Sequence, residues 1–184
     1  KIPRGLADAF ILGEAFIGDD NVTMILGDNI FEDDFSDEIK SFEKGGRMFA
    51  KKVTDWQRFG VVKFDENNKA VEIVEKPKDF ISDYASAGLY IFDGRVSEIA
   101  KNVIPSDRGE IEVVSVQNEY LRMGELDVRI FEGEWLDAGT FVSLLEAGNI
   151  VKNKEIYKKF DPIIDEAIRE YNEELKAIAK KRLI

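Results

Sequence analysis

Apolar residues recur along the chain with two different periods, and their alternation predicts an α/β protein. Leu6, Ala9, Phe10, Gly13 and Phe16 fall at three- and four-residue intervals, which predicts a helix over residues 5–18. Residues 22–26 then form an apolar run closed by Gly27-Asp28-Asn29. That run predicts a strand buried on both faces, as in a parallel sheet, with a polar turn at its carboxyl end. Phe35, Ile39 and Phe42 return to helical spacing until Gly45-Gly46, and residues 48–53 read as a strand again. Strand, helix and strand in that order favour a mixed, mainly parallel sheet flanked by helices, with ligands beyond the strand ends.

The middle of the chain has another character. Residues 60–65 and 70–75 flank the polar Glu66-Asn67-Asn68-Lys69, the pattern of a β-hairpin, and a further strand is predicted over 87–92. Helices are predicted over 96–103, 110–123 and 141–152, and a strand over 126–131. Asp161-Pro162 supplies a helix start, and Ile164, Ile168, Tyr171, Leu175 and Ile178 mark an amphipathic helix after it. No repeat or linker interrupts the pattern, so residues 1–184 read as one domain with residues 153–184 as its C-terminal helical extension. The apolar stripe of that extension favours a homo-oligomer.

Composition narrows the chemistry. The 184 residues carry a net charge of -11, and a surface of that sign repels nucleic acid and anionic membranes. With neither Cys nor His, thiol nucleophiles, disulfides, imidazole bases and the common zinc sites are excluded. Carboxylates, Lys, Arg, Tyr and backbone remain, a palette that suits a hard cation such as Mg2+. No apolar run approaches the ~20 residues of a membrane span, and the first residues lack a signal-peptide h-region. The cytoplasm is the expected compartment.

Several polar positions carry candidate chemistry, each with a plainer structural reading beside it. Asp28 closes a strand in a turn, where it either meets a bound metal or only shapes the turn. Asp137, in Trp135-Leu136-Asp137-Ala138-Gly139-Thr140, is either a second metal ligand or, with Thr140, a cap for the next helix. Glu75-Lys76 pairs an acceptor for sugar hydroxyls with a cation for phosphate, or is a solvated surface couple. Arg108 precedes a predicted helix start, where guanidinium and backbone N–H groups together attract anions. Gly60 and Gly88 each allow close approach of backbone to a ligand or relieve crowding between strands.

Taken in order, GLADAF, LGDNIF, RFGVVKFD, VEKP, YASAGLYIFD, PSDRGEIEV and WLDAGT resemble the sugar-1-phosphate nucleotidylyltransferases over residues 5–149. The resemblance implies a Rossmann-like nucleotidyltransferase domain and Mg2+ as cofactor. It also implies attack of glucose 1-phosphate on the α-phosphorus of dTTP, giving dTDP-glucose and pyrophosphate. By motif, Asp28 and Asp137 would be the metal ligands, Gly60, Glu75 and Lys76 would hold the sugar phosphate, and Arg108 would meet its phosphate. Gly5, Leu6 and Asp28 would lie by the nucleotide. The family's Gly-rich loop, with its catalytic Arg and Lys, would precede Lys1. The resemblance therefore implies an incomplete domain, short of on the order of 60 residues or more and inactive alone.

Two positions depart from the family pattern. Asp8 stands where Gln is usual, and a carboxylate cannot donate as an amide does, which leaves a uridylyl- or guanylyltransferase as the alternative. Ala87 stands where Thr is frequent. A non-catalytic sugar-phosphate-binding protein is the alternative from another class.

Overall fold

A computed structural model describes residues 4–153, together with Pro162, Glu166, Arg169 and Tyr171. The chain divides into two compact units, Lys1–Trp135 and Leu136–Ile184.

The first unit is built around one strand that passes through its middle. Seven strands lie here: β1 (Val22–Ile25), β2 (Asn29–Phe31), β3 (Gly46–Lys52), β4 (Gly60–Phe64), β5 (Ala70–Glu75), β6 (Tyr84–Phe92) and β7 (Leu126–Ile130). The helices are α1 (Asp8–Leu12), α2 (Glu14–Ile17), α3 (Ser36–Lys40), α4 (Val96–Asn102) and α5 (Val113–Arg122). β6 pairs antiparallel with β3 on one side. On its other side it pairs with β1 at residues 89–92 and with β4 at residues 84–85, also antiparallel. β4 and β5 form the expected hairpin, and β7 runs parallel to β3.

The sheet is mixed, as the pattern predicts, but its parallelism lies in direction more than in pairing. β1, β3, β4 and β7 all run the same way, yet β6 stands between most of them and converts their contacts into antiparallel ladders. Local periodicity carries strand direction poorly, because direction depends on which distant strand becomes the neighbour.

Alternation along β6 explains why it takes the centre. Ala87, Leu89 and Ile91 pack on one face with Phe42, Phe49 and Phe131, while Tyr90 and Phe92 pack on the other with Phe10, Met48, Val116 and Tyr120. Both faces are covered, so the strand reads as a nearly continuous apolar run. On the helical face the Phe92 ring meets Phe10 edge-on at 5.4 Å and stacks with Tyr120 at 5.2 Å. On the other, Phe35 meets Phe49 at 4.6 Å and Phe131 at 5.4 Å.

Local details correct several expectations. The first helix is broken at Gly13 into α1 and α2. β1 is not buried on both faces: Val22 and Met24 are half-buried whereas Thr23 and Ile25 are exposed. α3 is a short helix whose Ile39 is exposed, while Phe35 and Phe42, just outside it, do the packing. α5 begins at Val113 rather than near residue 110, because residues 106–110 close a turn in which the Ser106 N–H donates to the Glu110 carbonyl at 2.8 Å.

In the second unit, the strand that opens at the last residue of the first, β8 (Trp135–Asp137), leads to α6 (Phe141–Asn153). Thr140 caps this helix. The Ser143 N–H donates to Thr140 Oγ1 at 3.1 Å and the Thr140 N–H donates to Ser143 Oγ at 3.0 Å, a reciprocal pair. Pro162, Glu166, Arg169 and Tyr171 are helical and exposed. The other positions of the predicted C-terminal helix, Asp161, Ile164, Ile168, Leu175 and Ile178 among them, lie outside the described residues.

Candidate functional site

The polar cluster at the end of the hairpin begins with a glycine. A Cβ on Gly60 would lie 2.7 Å from Val114 Cγ2, 3.3 Å from Glu75 Oε2 and 3.6 Å from Ser86 Cβ. Only a bare backbone lets β4, β5, β6 and α5 close on this point. Gly60 pairs directly with Glu75 in the hairpin register, so the strand ladder itself delivers the carboxylate to the cluster.

Lys76 follows in the left-handed region at φ 45°, with its N–H donating to the Phe59 carbonyl at 2.9 Å. A non-glycine residue rarely rests there, and such conformations concentrate at binding sites. The turn brings Lys76 Nζ to 3.7 Å from Glu75 Oε1, and Arg108 Nη2 lies 3.6 Å from the same oxygen. Arg108 also meets Glu112 Oε1 at 2.8 Å and Glu110 Oε2 at 3.4 Å. Its position is set by these carboxylates and the 106–110 turn, not by a helix start, which lies five residues further on at Val113.

Three carboxylates, Glu75, Glu110 and Glu112, thus surround two cations, Lys76 and Arg108. Burial raises the Glu75 carboxyl above its ordinary value and the charge of Glu112 raises it further, while Lys76 and Arg108 pull it down. A carboxyl raised by burial and by a neighbouring acid, beside specific charge partners, makes this cluster a candidate functional site.

Gly5 and Leu6 are held next to this cluster through the same loop. The Ile111 N–H donates to the Arg4 carbonyl at 2.5 Å and the Ala7 N–H donates to the Ile111 carbonyl at 3.0 Å. Gly5, at φ 107°, has no room for a side chain, since a Cβ would stand 2.5 Å from the Ile111 carbonyl oxygen. Leu6 is exposed. Asp8, the departure from the family pattern, is gripped by the Arg4 guanidinium through both oxygens, at 2.5 and 3.1 Å.

Asp28 stands at the carboxyl end of β1 and is exposed. Its neighbour Asn29 fixes it, a role the residue pattern does not reveal. Asn29 Oδ1 accepts from the Gly88 N–H at 3.0 Å and from Trp135 Nε1 at 2.7 Å, which settles which end of the amide is oxygen. Asn29 Nδ2 therefore points the other way and donates to Asp28 Oδ1 at 2.8 Å. Gly88 makes this possible, because a Cβ there would lie 2.5 Å from Asn29 Oδ1.

Tyr90 links the two halves of the first unit's site. Burial raises its phenol above the ordinary value, a hydrogen bond with Ser86 opposes this, and the charges of both Glu75 and Asp28 add to the rise. Gln117 Nε2 donates to Ser86 Oγ at 3.2 Å beneath it. Glu112, Asn29, Ser86 and Tyr90 were not singled out by pattern, although all four sit inside the matched segments PSDRGEIEV, LGDNIF and YASAGLYIFD.

Asp137 belongs to the second unit, half-buried at the end of β8. Because Thr140 supplies the α6 cap, capping does not account for Asp137. Among the described residues no group of three or more His, Cys, Asp or Glu side chains could hold a metal. That fits zinc or calcium cages poorly but does not disfavour Mg2+, which keeps waters and needs only one or two carboxylates beside substrate phosphates.

Residues 1–154 match the model of the family described as nucleotidyl transferase. A glucose-1-phosphate thymidylyltransferase of Neisseria meningitidis serogroup A is 47% identical over 156 residues, covering 82% of this chain and 54% of that protein. One from Mycolicibacterium smegmatis is 43% identical, covering 84% and 55%. A solved Bacillus anthracis structure, assigned as a glucose-1-phosphate thymidylyltransferase and holding a sucrose, superposes with a TM-score of 0.77. Its identity is 39%, and the match covers 84% of this chain and 64% of that one. The chain spans about half the length of the curated relatives it matches.

Proposed function

The chain belongs to the nucleotidyl transferase family, and on that premise we propose that the intact protein joins dTTP and glucose 1-phosphate to give dTDP-glucose and pyrophosphate. A phosphate oxygen of the sugar phosphate bonds to the α-phosphorus of dTTP as the bond to the β-phosphate breaks. Pyrophosphate leaves with that electron pair. The observation that carries the reading is the cluster of Gly60, Glu75, Lys76 and Arg108, a hydroxyl acceptor beside two cations over a bare backbone.

Glu75 accepts hydrogen bonds from sugar hydroxyls, and Lys76 and Arg108 take the phosphate, the latter through its planar fork. Gly5 and Leu6 border the nucleotide. Asp28 and Asp137 would be the residues that hold Mg2+, which when bound would neutralise charge on the triphosphate. Asn29 keeps the Asp28 carboxylate aimed. Catalysis on this reading is positioning and charge neutralisation, with no covalent intermediate. We further place the intact protein in the cytoplasm and in a homo-oligomer. In support, no helix among the described residues is long and apolar enough to cross a membrane, and Phe141, Val142, Leu144 and Leu145 are exposed apolar residues of α6.

Pyrophosphate release by the intact protein with dTTP, UTP or GTP and glucose 1-phosphate tests this directly. dTTP is expected to turn over fastest; preference for UTP or GTP would replace the thymidylyl reading with its alternative. In the same assay Asp28→Asn lowers kcat at least about a hundredfold. Its effect on stability stays within about 0.5 kcal/mol, as for other exposed positions. Full activity in that variant would remove Asp28 from the metal site.

A further inference from the structure

Glu110 and Glu112 are the carboxylates of the cluster for which neither sugar hydroxyls nor metal supply a task, and of the two only Glu112 is buried. Its side chain is only 9% exposed, in a chain whose other acids are mostly at the surface. Taking such a group out of water costs several kcal/mol unless its partners are well placed. Two are: Arg108 Nη2 at 2.8 Å and Ser106 Oγ at 2.8 Å, both on Oε1.

We propose that Glu112 is a positioning residue for sugar-phosphate binding: its buried carboxylate anchors Arg108 in phosphate-binding geometry and places a second negative charge on the guanidinium that faces Glu75. The inference rests on the transferase reading above and adds a residue to it.

The anchoring follows from geometry. Arg108 is a long, half-exposed side chain on a loop, and an unanchored guanidinium loses rotamer freedom each time it meets an anion. The loop is already closed by the Gly109 N–H on the Ser106 carbonyl at 2.7 Å and by Gly109 at φ 76°. Ser106 then places its hydroxyl on the oxygen that holds Arg108. Glu112 therefore ties the start and the middle of the turn to one point, and the guanidinium is set before substrate arrives. That arrangement leaves Arg108 with donors to spare, since five N–H groups exceed what the neighbouring carboxylates take up.

The electrostatic part follows from position. Arg108 Nη2 lies 3.6 Å from Glu75 Oε1 and 2.8 Å from Glu112 Oε1, so the two carboxylates share one guanidinium nitrogen, while Lys76 on the end of β5, at 3.7 Å, and Tyr90 from β6 also face Glu75. Of these, Glu112 is the negative charge that opposes ionisation of Glu75, and the two cations favour it. A neutral residue at 112 leaves the cations unopposed, so Glu75 ionises at lower pH.

Two variants of the intact protein separate the parts. Glu112→Gln keeps an acceptor for Arg108 and Ser106 but loses the charge; Glu112→Ala loses both. For Glu112→Gln, the acid limb of 1/KM for glucose 1-phosphate moves to lower pH, with KM at neutral pH within about threefold of wild type. The substrate's own phosphate titration is common to both proteins and cancels in the difference. For Glu112→Ala, KM for glucose 1-phosphate rises about tenfold or more, while KM for dTTP stays within about twofold, the size expected when a charged hydrogen bond is lost from one substrate only. An unmoved acid limb in Glu112→Gln overturns the electrostatic part and, should Glu112→Ala not fold, suffices to overturn the proposal. A sugar-phosphate KM unchanged in Glu112→Ala overturns the anchor. If instead wild-type protein releases no pyrophosphate with any nucleoside triphosphate, the transferase reading itself fails, an outcome distinct from either.

Discussion

Two polar clusters lie towards opposite ends of β6, and they are built on opposite principles. At its carboxyl end Asp93 is surrounded by donors: the Gly45 N–H at 2.8 Å, Tyr120 Oη at 3.0 Å, and the Arg95 guanidinium at 2.5 Å. Arg95 goes on to Glu125, which also meets Lys44 at 3.3 Å. Burial would raise the Asp93 carboxyl, but the hydrogen bonds from Arg95, Gly45 and Tyr120 outweigh it and hold the group below its ordinary value. Near the amino end, beside Ser86, Glu75 has the reverse balance and sits above its ordinary value. The first cluster is saturated and joins β3, β6, α4, α5 and the start of β7. In the second, Lys76 and Arg108 do not bring the Glu75 carboxyl down to its ordinary value, and an incoming hydroxyl donor would relieve it. A saturated network stabilises a fold; a carboxyl left above its ordinary value in a polar cluster marks a candidate binding site.

The largest effect should come from breaking the saturated end. Asp93→Ala strands Arg95, Tyr120 and the Gly45 N–H, and should cost about 3 kcal/mol, at the lower end of the range for breaking a buried pair because Arg95 remains partly solvated. Urea unfolding measures it. The folded fraction should retain its affinity for glucose 1-phosphate. If that affinity falls more than stability explains, the two clusters are coupled and the division drawn above is wrong.

A smaller effect is expected where β6 passes between the clusters. Gly88→Ala pushes a methyl group to 2.5 Å from Asn29 Oδ1, so Asn29 must release the Gly88 N–H, Trp135 or both. Overpacking of this kind costs about 1–3 kcal/mol. Because Asn29 also donates to Asp28, the metal ligand proposed above, kcat should fall about tenfold or more, in proportion to what lost support does to such a ligand. A variant that loses stability but keeps kcat would show that Asn29 serves the fold alone.

How much of this was legible in the residues differs between the two clusters. The hairpin of β4 and β5 and the acids and bases at its end were visible, because alternation fixes a strand and its last residues fix where side chains leave it. Arg108 was visible, but for a mistaken reason: the helix starts later than its apolar spacing predicts, and the guanidinium is placed by Glu112 instead. The Asp93 cluster left no trace. Gly45 and Asp93 are 48 residues apart, and Arg95 and Glu125 are 30 apart, so it takes the pairings of β3 with both β6 and β7 to bring them together. The central place of β6 was hidden for the same reason, since its neighbours on both sides are distant in the chain. Asn29 shows the limit at short range: its motif was conspicuous, yet its task depends on Gly88 and Trp135.

The smallest expected effect discriminates best between the two clusters, because its sign is at stake. A carboxyl held above its unfolded value contributes stability that is fully present below the unfolded pKa and is lost as pH rises through the folded pKa. Glu75 is of this kind. Glu75→Gln should therefore match wild type near pH 4 and exceed it in stability at pH 8, while its affinity for glucose 1-phosphate falls. Asp93 is held low, so its contribution is present above the unfolded value and lost as pH falls through the folded one. The deficit of Asp93→Asn should accordingly be largest at neutral pH and shrink on acidification. Plotted against pH, the two variants' stability differences from wild type should run in opposite directions. A Glu75→Gln protein less stable than wild type by the same amount at both pH values would mean that Glu75 is satisfied in the folded protein, and that its end of β6 is not poised for a ligand.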